Sequence, residues 1–245
     1  MRETEQPEKI ETMGKINEKD KTGRTVILTR VRASFADSLQ EASLPKKNKD
    51  PSAKPTHGAN FIIEKTGPYA DHFESNKAAI ISALKAAARE FKKPEDWWKT
   101  LWDDKPDNLS FRKGDRFKTD AGEIYKGYEG NLVVVCKGPA GGKKRPQIRD
   151  RYKKVVDDVS RINEIVYNGT YGDVIVSFYG TDNGGTPRLT CSVEAVRSLQ
   201  EGDRLGGGGV YVDDDDFDTV EGDDSFDAGP SSKSSQSSSS DLLDL

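Results

Sequence analysis

Between Lys137 and Lys154 the chain carries eight Lys or Arg residues against one acid, Asp150. They are Lys137, Lys143, Lys144, Arg145, Arg149, Arg151, Lys153 and Lys154. Like charges at this density repel one another unless an anion lies across them. Tyrosines interleave with the cations. Tyr125 and Tyr128 precede the run, Tyr152 lies within it, and Tyr167 and Tyr171 follow it. Flat rings beside cations suit unpaired nucleotides, which offer a face to stack on and a phosphate to neutralise. Paired bases offer no such face. The plainer alternative is a solvated basic loop with tyrosines in the core or at its rim.

Patterns for catalysis are lacking. His57 and His72 lie in polar context without cysteine or carboxylate at ligand spacing, which predicts two surface histidines and no metal. Gly142-Lys143 invites a phosphate-loop reading, but Lys137 stands where the first glycine belongs and Lys144 where Ser or Thr should follow. The Asp213–Asp216 run lacks the alternating ligands and glycine of a calcium loop. No cofactor is expected, and the chain reads as a non-enzyme.

The elements that would position these residues are mostly strands. Residues 25–35, TVILTRVRASF, are β-branched and extended, with Arg30 and Arg32 two apart on one face. A loop over 43–60 holds Lys46, Lys47, Lys49 and Lys54 among three prolines. A short strand follows at Phe61-Ile62-Ile63. Ile80, Ile81, Leu84, Ala87, Ala88 and Phe91 recur at helical spacing and predict one long helix over 74–91. The three tryptophans, Trp97, Trp98 and Trp102, fit a short helix capping one end of the core, or a platform under a base. Arg112 and Lys113 open a segment of hairpin character that runs to Tyr128. Residues 132–137, LVVVCK, form the strongest strand and should be central. Further strands are expected over 173–179 and 186–191, and a short helix over 194–199. Phe178 and Tyr179 should face opposite sides. Five or six short strands with one inserted helix predict a mainly β fold, a small closed or part-open barrel.

Charge divides the chain. From Asp213 to Leu245 there are 11 acids and one lysine, a net of −10 against −4 for the whole chain, so the rest carries +6. A basic body suggests a polyanionic partner, and an acidic tail suggests competition for the same surface. The tail comprises Asp213, Asp214, Asp215 and Asp216 with further acids, a serine-rich spacer, and an apolar tip of Asp241, Leu242, Leu243, Asp244 and Leu245. An apolar residue beside a free carboxylate suits capture by a basic-rimmed pocket on a partner. The expected organisation is a flexible arm over 1–22, one domain over 23–209 and a disordered tail over 210–245. Cys136 and Cys191 sit in strand-like runs and read as buried reduced thiols. No apolar run is long enough for a membrane span, and no signal peptide is expected. The Asn168-Gly169-Thr170 sequon is read as incidental.

The order of these segments resembles the bacteriophage single-stranded DNA-binding proteins with an OB-fold. The matching stretches are TRVRASFADSL, GANFIIEK, FRKGDRF, YKGYEGNLVVVCKGPAGGKKRPQI, YNGTYGDVIVSFYGTDNGG and GDRLGGG. The resemblance implies a five-stranded OB-fold barrel, sequence-tolerant binding of single-stranded DNA, and an acidic C-terminus contacting replication or recombination proteins in the cytoplasm of a bacterial host. Carried onto this chain, the binding face would include Arg30, Arg32, Tyr125, Tyr128, Lys137, Tyr167 and Tyr171. With the basic segments, the candidate set adds Lys46, Lys47, Arg112, Lys113, Lys143, Lys144, Arg145 and Arg149. Tails of this family often end in Phe, where this one ends in Leu245. Two rival readings stay open: an RNA-binding or annealing protein on the same fold, and an acidic-tailed interaction factor that binds a basic protein.

Overall fold

The computed structural model describes residues 13–44, 52–183 and 185–206. Lys46, Lys47 and the whole acidic tail from Asp213 to Leu245 lie outside the described residues, as does the arm before Met13. The elements in chain order are β1 (Lys15–Ile16), β2 (Thr25–Ser34), α1 (Asp37–Gln40), β3 (Gly58–Ile63), α2 (Phe73–Glu90), α3 (Trp97–Asp104), β4 (Phe111–Lys113), β5 (Leu132–Lys137), β6 (Gln147–Arg149), α4 (Val159–Ile165), β7 (Tyr171–Asn183) and β8 (Thr186–Gln200).

The sheet runs β4-β5-β3-β2-β7-β8-β6. A parallel contact of β5 with β8 at Lys137 and Ser192 joins the ends of the middle five strands into a ring. Alternation explains the interior. Phe61 and Ile63 of β3, Val134 and Cys136 of β5, and Val174, Val176 and Phe178 of β7 all enter one core. Phe178 is buried and Tyr179 half-buried, as opposite faces require. Cys136 and Cys191 are free and buried, their sulfurs 3.4 Å apart. Burial holds the Cys191 thiol well above its ordinary range.

Helix α2 covers the ring. Ala79, Ile80, Ala83, Leu84 and Ala87 face β2 and β7, and the small residues permit close approach. At Gly180 a Cβ would fall 2.1 Å from the Phe91 ring, so that contact requires glycine. In β2 the register shifts between Leu28 and Val31, and Arg30 lies at φ 54° within this bulge. Asn76 of α2 satisfies the bulge. Its Oδ1 accepts from the Thr29 amide at 3.0 Å, and its Nδ2 donates to the Thr29 carbonyl at 2.8 Å. His72 closes the network at 2.8 Å from the Thr29 hydroxyl and is 1% exposed, correcting the expectation of a surface histidine.

Three further expectations change. Residues 13–22 are not a loose arm: β1 pairs with Val26 and Ile27, and Ile16 packs on the core. Residues 194–199 are strand, because β7 on one side and β6 on the other pair with them and override the helical preference of Glu, Ala and Leu. Among the described residues the sheet has eight strands, against the five or six expected. The tryptophans do cap the core: Trp97, Trp98 and Trp102 of α3 pack against it, Trp102 meeting Phe111 at 5.2 Å.

Candidate nucleic-acid interface

Register defines one end of the ring. Ser34, Asn60 and Val135 lie side by side across β2, β3 and β5, and Gly58 opposes Lys137 two pairs further on. The outer face just inside this end is not open. Ile62, Val133, Tyr128 and Leu205 form a second small core, because residues 114–131 fold back over the sheet. Phe117, Ile124, Tyr125 and Val135 pack around it. Tyr128 is its keystone. It is 1% exposed, its hydroxyl donating to Ser34 Oγ and accepting from Asn60 Nδ2, each at 3.0 Å. Burial raises its phenol above the ordinary range. An expected stacking residue is thereby corrected to a support: no face of Tyr128 is free for a base.

The exposed ring at this end is Phe35. It follows β2 at φ 50°, stands 45% exposed, and meets Tyr125 edge-on at 5.3 Å. Tyr125 is half-buried and Lys126 beside it is exposed. Tyr167 joins from the other side of β2. The Gly169 amide donates to the Ala33 carbonyl, and Asn168 Oδ1 accepts from the Ala36 amide at 2.7 Å. The Arg204 guanidinium lies 4.4 Å from the centre of the Tyr167 ring. Phe35 is not among the residues the sequence singles out. Its signal is an aromatic at the point where Ala36-Asp37 breaks the strand pattern.

The basic run reaches the same end through Lys137, which is exposed. The turn after it docks on the loop before β3: the His57 amide donates to the Gly142 carbonyl and the Gly138 amide to the His57 carbonyl, each at 2.8 Å. Lys143 and Lys144 project from that turn, both exposed. Arg145 and Arg149 are half-buried and spend hydrogen bonds on the Asp157 and Lys153 carbonyls.

Other candidates serve the fold. Arg32 pairs with Glu64 at 3.0 Å, bonds the Asp203 carbonyl at 2.7 Å and lies over Tyr171. Tyr171 is 6% exposed and donates to Glu64 at 2.8 Å, which with burial pushes its phenol well up. It too is a buried support and not a stacking face. Arg30 covers Tyr69, which touches Tyr171 edge-on at 5.0 Å, so the two arginines do share a face. Arg112 holds the Leu109 and Asp107 carbonyls. Lys113 opposes Leu132 at the far end of β5, about 17 Å from Lys137 at the usual strand rise. It lies over Trp102 and borders a separate cavity of about 650 Å³. Arg112 and Lys113 are therefore not part of the cluster around Phe35. Among the described residues, no group of three or more His, Cys, Asp or Glu is placed to hold a metal, and no helix is long and apolar enough to cross a membrane.

Solved structures share this fold. The single-stranded DNA-binding protein of bacteriophage Enc34, in complex with ssDNA, aligns with TM-score 0.57 at 16% identity, covering 76% of this chain and 90% of that one. The same phage protein in a second structure aligns with TM-score 0.55 at 15% identity, covering 84% of this chain and 98% of that one. No curated protein matches the sequence. The model of the family described as Enterobacter phage Enc34, ssDNA-binding protein, matches residues 24–227. A match spanning most of the chain places it in that family: this protein belongs to the Enc34 ssDNA-binding proteins of bacteriophages.

Proposed function

We propose that the chain binds single-stranded DNA across the end of an OB-fold barrel, with Phe35 and Tyr125 stacking on bases. Tyr167, through its pairing with Arg204, extends that aromatic surface. Lys137, Lys143 and Lys144 neutralise phosphates, and Lys46 and Lys47, which lie outside the described residues, are assigned the same role. The observation that carries this reading is the exposed Phe35 ring set edge-on to Tyr125 above the buried Tyr128. An aromatic pair held outward on a rigid floor suits unpaired bases of any sequence. In this reading the acidic tail from Asp213 to Leu245 competes with DNA for the cations. Displaced, it presents its apolar tip to replication or recombination proteins in the host cytoplasm.

The test is a titration of the full chain with oligo-dT and with a matched duplex at two salt concentrations. The reading predicts preference for the single strand and affinity that falls steeply with salt. Three phosphate contacts alone give a log–log slope of roughly −2. Equal affinity for duplex, or no loss with salt, would contradict it. Matched RNA in the same assay separates the two nucleic acids.

A further inference from the structure

One aromatic is far more exposed than Phe35 and stands apart from the end just described. Tyr152 is 81% exposed. It sits at the tip of a turn after β6, flanked by Arg151, Lys153 and Lys154, all exposed. The turn is tightly held. Asp150 Oδ1 accepts from the Tyr152 and Lys154 amides, each at 2.9 Å. The backbones of Asp150 and Lys154 are bonded at 3.0 Å, and the Lys153 amide donates to the Asp150 carbonyl at 3.0 Å. Arg149 donates to the Lys153 carbonyl at 2.6 Å. Lys153 takes φ 68°, a left-handed conformation costly for a side chain with a Cβ. Ile148, 1% exposed and paired with Val196, anchors the base of the turn. The only acid of the segment is thus spent on its own backbone, while three cations and a ring point to solvent. Among the described residues, neither packing nor ion pairing accounts for that arrangement.

Beside the turn lies a polar cavity of about 360 Å³, whose charged and aromatic lining is Asp150, Arg151, Tyr152, Arg161, Glu164 and Glu201. Its size is at the lower end of small-ligand sites. Helix α4 forms one wall and ends two residues before Tyr167. Tyr167 of the proposed surface thus follows, along the chain, directly on the wall of the cavity.

We propose that the Tyr152 turn and the cavity beside it form a second, one-nucleotide subsite, in which a base stacks on Tyr152 and Arg151 and Lys153 take the flanking phosphates. The proposal rests on the single-strand reading above and extends its footprint. Asp150 is a positioning residue that presents the ring.

The test is a titration of the full chain and of Tyr152→Ala, Tyr152→Phe and Asp150→Ala with oligo-dT of graded length. All should bind the shortest oligomers alike. Beyond the length that reaches the subsite, Tyr152→Ala and Asp150→Ala should bind about tenfold more weakly, the usual scale for one stacked base. Tyr152→Phe should keep the wild-type gain, since the ring and not the hydroxyl stacks. Equal affinity of Tyr152→Ala and wild type at every length overturns the subsite while leaving the Phe35 cluster standing. A defect confined to cooperative filling of long poly-dT also overturns it, assigning Tyr152 to contact between neighbouring copies. Absence of binding by wild type at any length is a failure of the single-strand reading itself, and the subsite falls with it.

Discussion

At the scale of single residues, exposure separates rings that can touch a ligand from rings that hold the fold. Phe35 and Tyr125 belong to the first group. Replacing either by Ala should weaken oligo-dT binding about 5- to 150-fold, the range for one lost stacking contact of about 1–3 kcal/mol. Unfolding free energy should change little for Phe35→Ala, whose ring is exposed, and more for Tyr125→Ala, which also packs on the Tyr128 core. Tyr128 belongs to the second group. Tyr128→Phe strands the Ser34 and Asn60 partners of a buried hydroxyl and should cost about 1–3 kcal/mol in denaturant unfolding. DNA affinity of the folded variant should stay close to wild type. A large affinity loss with unchanged stability would return Tyr128 to the binding surface.

At the scale of elements, the bulge in β2 and its clamp from α2 fix where the strand ends and hence where Phe35 stands. Asn76→Ala removes both partners of the Thr29 backbone and should destabilise by about 2 kcal/mol or more in thermal or denaturant unfolding. A loss under half that would mean the bulge holds without the clamp. This level also shows what the sequence makes readable. The unbroken apolar run of β5 and the helical period of α2 are local signals, and both elements form within a residue or so of expectation. The end of β8 depends on two partner strands far along the chain, so its helix-forming residues mislead. Arg32 is spent on Glu64, and Tyr128 and Tyr171 vanish beneath residues that no local pattern connects to them. Lys137, Lys143 and Lys144 stand exposed, as lysines do by default. Aromatics have no such default, because the same tyrosine serves core or surface according to what folds over it.

At the scale of the whole molecule, in the proposed function an acidic tail competes with DNA for the basic body of the same chain. Removing residues 213–245 takes away a net charge of −10 and should tighten binding to oligo-dT, most at low salt. Unchanged or weaker affinity after truncation would rule out competition and leave the tail a role toward other proteins alone. The central claim is narrower and lies in the described fold: the strand crosses the end of the ring at Phe35 and Tyr125. Photo-cross-linking of the full chain to an oligo-dT bearing 5-iodouracil, followed by peptide mapping, tests it most directly. Adducts on the peptides holding Phe35 and Tyr125 are predicted. Adducts confined to the Trp97–Trp102 face at the opposite end of β5 would contradict it.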